Sequence, residues 1–109
     1  MLEIKSPITG EQLQVAENDF ENGMNWSIAK DACKDLGNGW RLPTKSELEL
    51  IFRELHLLGK GNFKLNYYWS SSQHDGDSSW NFGFHEGKAN KFMHGVPCCV
   101  RAVRAFTLR

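Results

Sequence analysis

The sequence has no excess of charge of either sign and no long apolar run. Thirteen basic and thirteen acidic side chains give a formal net charge of zero. Because nucleic acids and anionic membrane surfaces attract proteins through a basic excess, we expect neither as a partner. No stretch approaches the roughly 20 apolar residues that span a bilayer, so we expect no membrane insertion.

A secretory signal is also absent from the start of the sequence, because residues 1–7 lack a basic segment followed by an apolar one. The default expectation is therefore a cytoplasmic protein. Cysteine is scarce as well: Cys33, Cys98 and Cys99 allow at most one bridge, whereas small secreted domains usually carry an even set. Free cysteines are often buried, so the simplest expectation is three reduced, largely buried thiols.

With 109 residues, 40% of them apolar, the chain has the length and composition of one globular domain. A chain of this length buries roughly two thirds of its extended surface on folding, which suffices for a core without a metal. No internal repeat, low-complexity run or linker-like stretch divides it. We therefore expect residues 1–109 to form a single domain.

Two amphipathic helices are predicted in the first half of the chain. The first spans residues 26–36, where Asn25 is a suitable N-cap. Its apolar face comprises Ile28, Ala29, Ala32, Cys33 and Leu36. The second spans residues 44–58, where Thr44 and Glu47 form a capping box. Its apolar residues recur at helical spacing: Leu48, Ile51, Phe52 and Leu55.

The second half shows the patterns of β-strands. Residues 67–72 are rich in aromatic and hydroxyl side chains, and residues 88–93 follow a hairpin turn at Glu86-Gly87. We expect Trp69 to pack in the core, whereas the neighbouring tyrosines suit either the core or a ligand. Between these segments, alternation predicts a strand with one buried aromatic face, formed by Trp80, Phe82 and Phe84.

The last predicted strand, residues 98–106, carries an arginine on each face, Arg101 on one and Arg104 on the other. We expect at least one of them to be partly buried and paired with a carboxylate or with backbone carbonyls. Two helices followed by a run of strands, without alternating βα units, predict an α+β fold. In this fold the two helices pack on a small, mainly antiparallel, twisted sheet with long loops.

Several short motifs occur in a specific order along the chain. GWRLPT spans residues 39–44, YWSS spans 68–71 and VRAVR spans 100–104. Together they resemble the bacterial DUF1566 family, also called the Lcl C-terminal domain, over residues 25–104. The resemblance implies a C-type-lectin-like fold, in which a long loop region carries ligand contacts. Members of that family are commonly modules of bacterial surface, secreted or adhesive proteins.

The resemblance also implies a disulfide bridge, because such folds often link the first helix to the last strand. Here the bridge would join Cys33 to Cys98 or Cys99 under oxidising conditions. Animal lectins of this fold hold calcium with a Trp-Asn-Asp motif, but Trp80-Asn81 is followed by Phe82. We therefore expect no calcium-dependent sugar site of that kind, since calcium needs about six to eight oxygen ligands.

The candidate ligand-binding residues lie in two polar segments of the second half. His74, Asp75 and Asp77 share one loop, and Lys91 and His94 lie in a second segment between residues 89 and 97. Asp-Gly-Asp is also a common solvated turn, so a cation site there is the weaker interpretation. His85, His94, Cys98 and Cys99 show no zinc-site spacing, and we expect neither a metal nor a cofactor.

These observations favour a non-catalytic recognition module that binds a glycan or a protein through its loops. A structural or assembly subunit of a bacterial or phage-like particle is the alternative. A thiol-dependent enzyme that uses Cys98 or Cys99 is a third interpretation, which would need an exposed, electropositive cysteine. No serine nucleophile elbow or catalytic triad order is present, so we expect no enzymatic activity.

Overall fold

The computed structural model describes residues 2–5 and 10–106. Its elements are, in chain order, β1 (Leu2–Lys5), β2 (Gln12–Val15), α1 (Trp26–Asp35), α2 (Lys45–Glu54), a 3₁₀ turn (His56–Leu58), β3 (Tyr67–Gln73), β4 (Ser78–Gly83), β5 (Lys88–Met93) and β6 (Val103–Phe106). The predicted α+β class is confirmed. No helix in the described ranges is long and apolar enough to cross a membrane.

The described strands form two three-stranded antiparallel sheets instead of one. The first has the order β1-β2-β6 and joins the two ends of the chain, with Val15 opposite Val103. The second has the order β3-β4-β5 and contains the aromatic strands. An isolated parallel bridge between Tyr68 and Cys99 connects β3 to the segment before β6. The C-type-lectin-like assignment stays a prediction.

Helix α1 begins and ends close to the predicted positions, but it buries a narrower face. Asn25 caps it, because its side-chain oxygen accepts a hydrogen bond from the Ile28 backbone N–H at 3.0 Å. The buried residues are Trp26, Ala29 and Cys33. The prediction that Ile28 and Leu36 are buried was wrong: they are 55% and 48% exposed. Ile28 lies on the side of the helix opposite the buried stripe, and Leu36 is the C-cap.

Helix α2 has the predicted capping box but is shorter than predicted. The Thr44 hydroxyl accepts a hydrogen bond from the Glu47 N–H, and the Glu47 carboxylate accepts one from the Thr44 N–H. The α-helix ends at Glu54, and a 3₁₀ turn continues it to Leu58. Gly59, with φ of 73°, then reverses the chain, as a glycine at a helix end commonly does.

Two apolar clusters fill the interior. One packs α2 against β1, β2, β3, β4 and β6, and it includes Ile51, Tyr68 and Phe82. The other packs α1 against β3 and the segment before β6, and it includes Trp26 and Trp69. Trp69 is fully buried, as predicted, and so is Tyr68, whereas Tyr67 is only half-buried. The aromatic strands therefore divide the core into two halves.

The last predicted strand was too long. Residues 98–102 form isolated bridges and single backbone hydrogen bonds, and the strand itself begins at Val103. The prediction of a paired arginine is confirmed, because Arg101 is 1% exposed and forms a salt bridge with Asp19. Arg101, Ala102 and Val103 are all buried in succession, because both sides of this segment are covered by the rest of the domain.

The predicted buried aromatic face of β4 is correct for Phe82 and Phe84 but wrong for Trp80, which is half-buried. The reason is the neighbouring strand. β5 is an edge strand, and it places Lys91 opposite Trp80 where a large apolar residue would be needed to cover the indole. On the other face of β4, Asn81 is fully buried. Both faces of this strand are thus partly polar.

Candidate functional site

The structure brings two of the five predicted ligand-binding residues together around Trp80. His74 lies in the loop between β3 and β4, and its ring contacts the indole edge-on, with ring centroids 5.8 Å apart. Lys91 is the cross-strand partner of Trp80 on β5, and its Nζ lies 5.4 Å from the ring centroid. The segment 89–97, predicted as a loop, is a strand up to Met93, which explains this register.

A third residue, at the start of helix α2, also contacts the Trp80 ring. Lys45, the first residue of α2, places its Nζ 3.7 Å from the centroid of the Trp80 ring. Its position is fixed twice, by the capping box before it and by a 3.0 Å hydrogen bond that its backbone N–H donates to Ser72 Oγ. We call Trp80, Lys45, Lys91 and His74 the Trp80 surface.

The Trp80 surface is cationic and apolar at once. Neither Lys45 nor Lys91 forms an ion pair within the described ranges, and both ammonium groups face one aromatic ring. A cation over an indole at an exposed site contributes only ~0.5–1 kcal/mol, so a ligand displaces it at small cost. The surface can therefore offer an apolar ring face and mobile hydrogen-bond donors to one ligand.

Asp75 and Asp77 belong to the adjacent loop but form a turn rather than a cation site. Asp75 Oδ1 accepts hydrogen bonds from the backbone N–H groups of Asp77 and Ser78, at 2.8 and 2.9 Å, and from the Ser78 hydroxyl. The bond from the Asp77 backbone is the main cause that lowers the pKa of Asp75. In the described part of the chain, no three His, Cys, Asp or Glu side chains converge as metal ligands would.

His94 is separated from the Trp80 surface. Its Nε2 lies 2.8 Å from the hydroxyl of Ser79, which points to the opposite face of β4 from Trp80. Its ring stacks on Trp26, with centroids 4.1 Å apart and planes at 16°. Its backbone carbonyl also accepts a hydrogen bond from the Trp26 N–H. His94 therefore joins the start of α1 to the end of β5.

The three cysteines are free thiols in the structure, so the bridge implied by the resemblance is not formed in it. Cys33 and Cys98 are buried in the same apolar cluster, while Cys99 packs against the other one, which favours Cys98 as the partner of Cys33. Burial raises the pKa of Cys33 and of Cys98 to about 12, and it raises the pKa of Cys99 as well. Bridge formation under oxidation stays a prediction.

A buried polar network, of which only Arg101 was predicted, supports the core beside these residues. Arg101 Nε donates to Asp19 Oδ1 at 2.6 Å, and the Tyr68 hydroxyl donates to Asp19 Oδ2 at 2.6 Å. Arg101 Nη1 also donates to the Ala16 carbonyl. Burial, followed by the bond to Asp19, raises the pKa of Tyr68. Asp19 lies in a segment without periodicity, so no sequence signal indicated it.

Sequence reasoning also missed Trp80 and Lys45 as surface residues. Alternation assigned Trp80 to the core, and Lys45 was only a residue after a helix cap. The contact with Lys91 depends on the exact register: a two-residue turn at Glu86-Gly87 would place Trp80 opposite Met93, whereas the observed pairing of Gly83 with Lys88 places it opposite Lys91. The contact with Lys45 depends on how α2 packs on the sheet, which the sequence pattern does not specify.

The family comparison covers nearly the whole of this structure. The sequence profile of the Lcl C-terminal domain matches residues 9–104, a range that contains the GWRLPT, YWSS and VRAVR motifs. No curated protein matches the sequence. The resemblance inferred from those motifs is therefore confirmed: the chain belongs to the Lcl C-terminal domain family.

Proposed function

We propose that this domain is a non-catalytic recognition module that binds a glycan through the Trp80 surface. The observation that carries the proposal is a half-buried indole surrounded by Lys45, Lys91 and His74, which come from three different segments. An indole offers a flat apolar area on which the C–H face of a sugar ring can stack. The lysine ammonium groups can donate hydrogen bonds to sugar hydroxyls around that ring.

The affinity of one such surface should be weak. A single stacked ring with a few hydrogen bonds must offset the loss of the two lysine contacts and the cost of association. We expect a dissociation constant on the order of 1 mM for a monosaccharide. Several sugar units of one glycan, or several copies of the domain, would raise the apparent affinity without a new contact.

A non-catalytic role is supported by the burial of two of the three thiols and of the serine that contacts a histidine. Cys33 and Cys98 are buried with raised pKa values, the opposite of what a reactive cysteine needs. In the described ranges, the one serine–histidine hydrogen bond joins His94 to Ser79, and Ser79 is fully buried. A substrate could reach Ser79 only after the sheet opened.

The proposal is tested with a glycan array and with NMR titration of the hits. The variants Trp80→Ala, Lys45→Ala and Lys91→Ala should each weaken binding. Lys30→Ala is the matched control, because Lys30 also lies over a tryptophan, Trp26, at 4.2 Å but outside the surface. A hit that binds Trp80→Ala as well as the wild type would contradict the proposal. If the array shows no binding but the wild-type domain retains a protein in pull-downs that Trp80→Ala does not retain, the ligand is a protein.

A specific observation also supports the assembly alternative. Leu57, Leu58 and Leu65 are 62%, 63% and 70% exposed, so residues 57–65 present three large apolar side chains that a partner could cover. Light scattering after size exclusion distinguishes the two functions. A stable oligomer that Leu57→Ser or Leu65→Ser dissociates would support assembly, and a monomer would support recognition.

A further inference from the structure

A second candidate site lies apart from the Trp80 surface, where the 3₁₀ turn after α2 leads into the next loop. His56, Gly59, Lys60, Asn62 and Phe63 line an open cavity of about 160 Å³. Cavities of roughly 150 Å³ accept a molecule the size of benzene. None of these lining residues carries a carboxylate, whereas an ammonium, an imidazole and a carboxamide are present.

The imidazole of His56 is held in place by aromatic rings and has no polar partner. Its ring centroid lies 5.4 Å from that of Phe52, 5.3 Å from that of Phe84 and 6.2 Å from that of Phe63. Neither ring nitrogen forms a hydrogen bond within the part of the chain that the structure describes. A half-buried imidazole in this position is therefore ready to contact a ligand in the cavity.

The loop that forms the cavity has a strained and specific backbone. Gly61 and Asn62 both adopt left-handed conformations, with φ of 86° and 53°. A side chain at position 61 would also collide with the ring of Phe63, so only glycine fits there. The backbone N–H groups of Gly61 and Asn62 make no hydrogen bond within the described ranges. Asn62 lines the cavity, so its N–H group is available to a ligand there.

We propose that this cavity binds a tetrahedral oxyanion, phosphate or sulfate, either free or as a substituent of a larger ligand. Lys60 supplies the positive charge, and the His56 imidazole, the Asn62 carboxamide and the Asn62 backbone N–H supply further donors. Charge-assisted hydrogen bonds of this kind are about twice as strong as neutral ones. The cavity shares no residue with the Trp80 surface, so the experiment on one site can contradict its proposal without affecting the proposal for the other.

The experiment is an NMR titration of the intact chain with inorganic phosphate, matched in ionic strength by sodium chloride. We expect saturable shifts of the amide signals of Gly61 and Asn62 and of the His56 ring. Lys60→Ala should weaken binding roughly tenfold or more, because it removes a charge-assisted hydrogen bond. Lys64→Ala is the matched control, since it removes the same charge from an exposed residue that does not line the cavity.

A second variant distinguishes the loss of a ligand contact from the loss of the fold. Asn62→Gly keeps a backbone that accepts the positive φ and removes only the carboxamide, so it should weaken phosphate binding without a loss of stability. Glucose 6-phosphate provides the second arm. If glucose 6-phosphate binds more tightly than inorganic phosphate, the natural ligand carries the phosphate as a substituent. If the two bind equally, the natural ligand is the free anion. Shifts that do not saturate, or that Lys60→Ala and Lys64→Ala weaken equally, would overturn the proposal.

Discussion

Removing the carboxylate of Asp19 should destabilise the domain strongly, because two buried groups depend on it. Asp19 neutralises Arg101, which is 1% exposed, and it also accepts the hydrogen bond of the Tyr68 hydroxyl. The change Asp19→Ala leaves a buried cation and a buried hydroxyl without that partner. Breaking a buried pair from one side costs about 3–5 kcal/mol. In a domain of this size that loss lowers the melting temperature by roughly 15–25 °C.

The measurement is urea unfolding followed by circular dichroism, with the free energy extrapolated to water. Asp31→Ala on the exposed side of α1 is the control, and it should change stability by no more than about 0.5 kcal/mol. Asp19→Asn keeps the shape and removes the charge, so it should cost less than the alanine change and keep the transition measurable. If Asp19→Ala costs no more than Asp31→Ala, the buried pair does not stabilise the fold.

Tyr68→Phe separates the two bonds to Asp19. It leaves the salt bridge but removes the hydroxyl, which donates to Asp19 and accepts from the Lys64 backbone N–H, so it should cost about 1–3 kcal/mol for the two lost bonds. In a double-mutant cycle with Asp19→Ala, the two changes should not be additive, because the residues share one network. Additive losses would show that the hydroxyl and the carboxylate act independently, contrary to the geometry.

Four further predictions concern the helix cap, the Glu47 carboxylate, a buried amide and the thiols. Thr44→Ala should cost about 1 kcal/mol in urea unfolding, because it opens the capping box, and Thr44→Ser should restore most of the loss. The Glu47 pKa is lowered on folding, because hydrogen bonds from Arg41 and Thr44 outweigh the effect of burial. The free energy of unfolding should therefore fall as the pH drops below about 4.5. The fall should be smaller in Glu47→Gln, which has no carboxylate to protonate at this position. Asn81→Leu should stabilise the domain or leave it unchanged in thermal unfolding, because the carboxamide of Asn81 is buried without a hydrogen-bond partner in the described ranges. A loss of stability above about 1 kcal/mol would show that the carboxamide does have a partner. Cys33 and Cys98 should react slowly with a thiol reagent at pH 8 until the chain unfolds, and fast labelling of the native protein would contradict their burial.

The helices could be predicted from the sequence because their signals are local. Asn25, Thr44 and Glu47 act on backbone groups within three residues, and the apolar spacing lies within a few turns. The prediction of which helix residues are buried failed where burial depends on the packing partner of the helix. Ile28 resembles a core residue in spacing, but whether a helix buries a wide or a narrow face depends on what packs against it.

The candidate site was less predictable because it combines distant segments. The sequence predicts His74 and Lys91 only as polar residues in loops, whereas Lys91 reaches Trp80 through the register of β4 and β5, and His74 reaches it from the loop between β3 and β4. Lys45 joins them only through the packing of α2 on the sheet. Asp19 and Arg101 show the same limit, since 82 positions in the sequence separate the two partners of the buried salt bridge.

The GWRLPT motif, residues 39–44, also determines where the Trp80 surface can form. Arg41 donates two hydrogen bonds to the Glu47 carboxylate, at 2.7 and 2.9 Å, and its backbone pairs with Val103 of β6. Glu47 in turn accepts from the Thr44 N–H, which fixes the first turn of α2 and hence the origin of the Lys45 side chain. One chain of contacts therefore runs from the terminal sheet through the cap to the indole. Because the ammonium must reach the ring from a fixed backbone position, loosening the cap should weaken ligand binding even though no cap residue contacts the ligand.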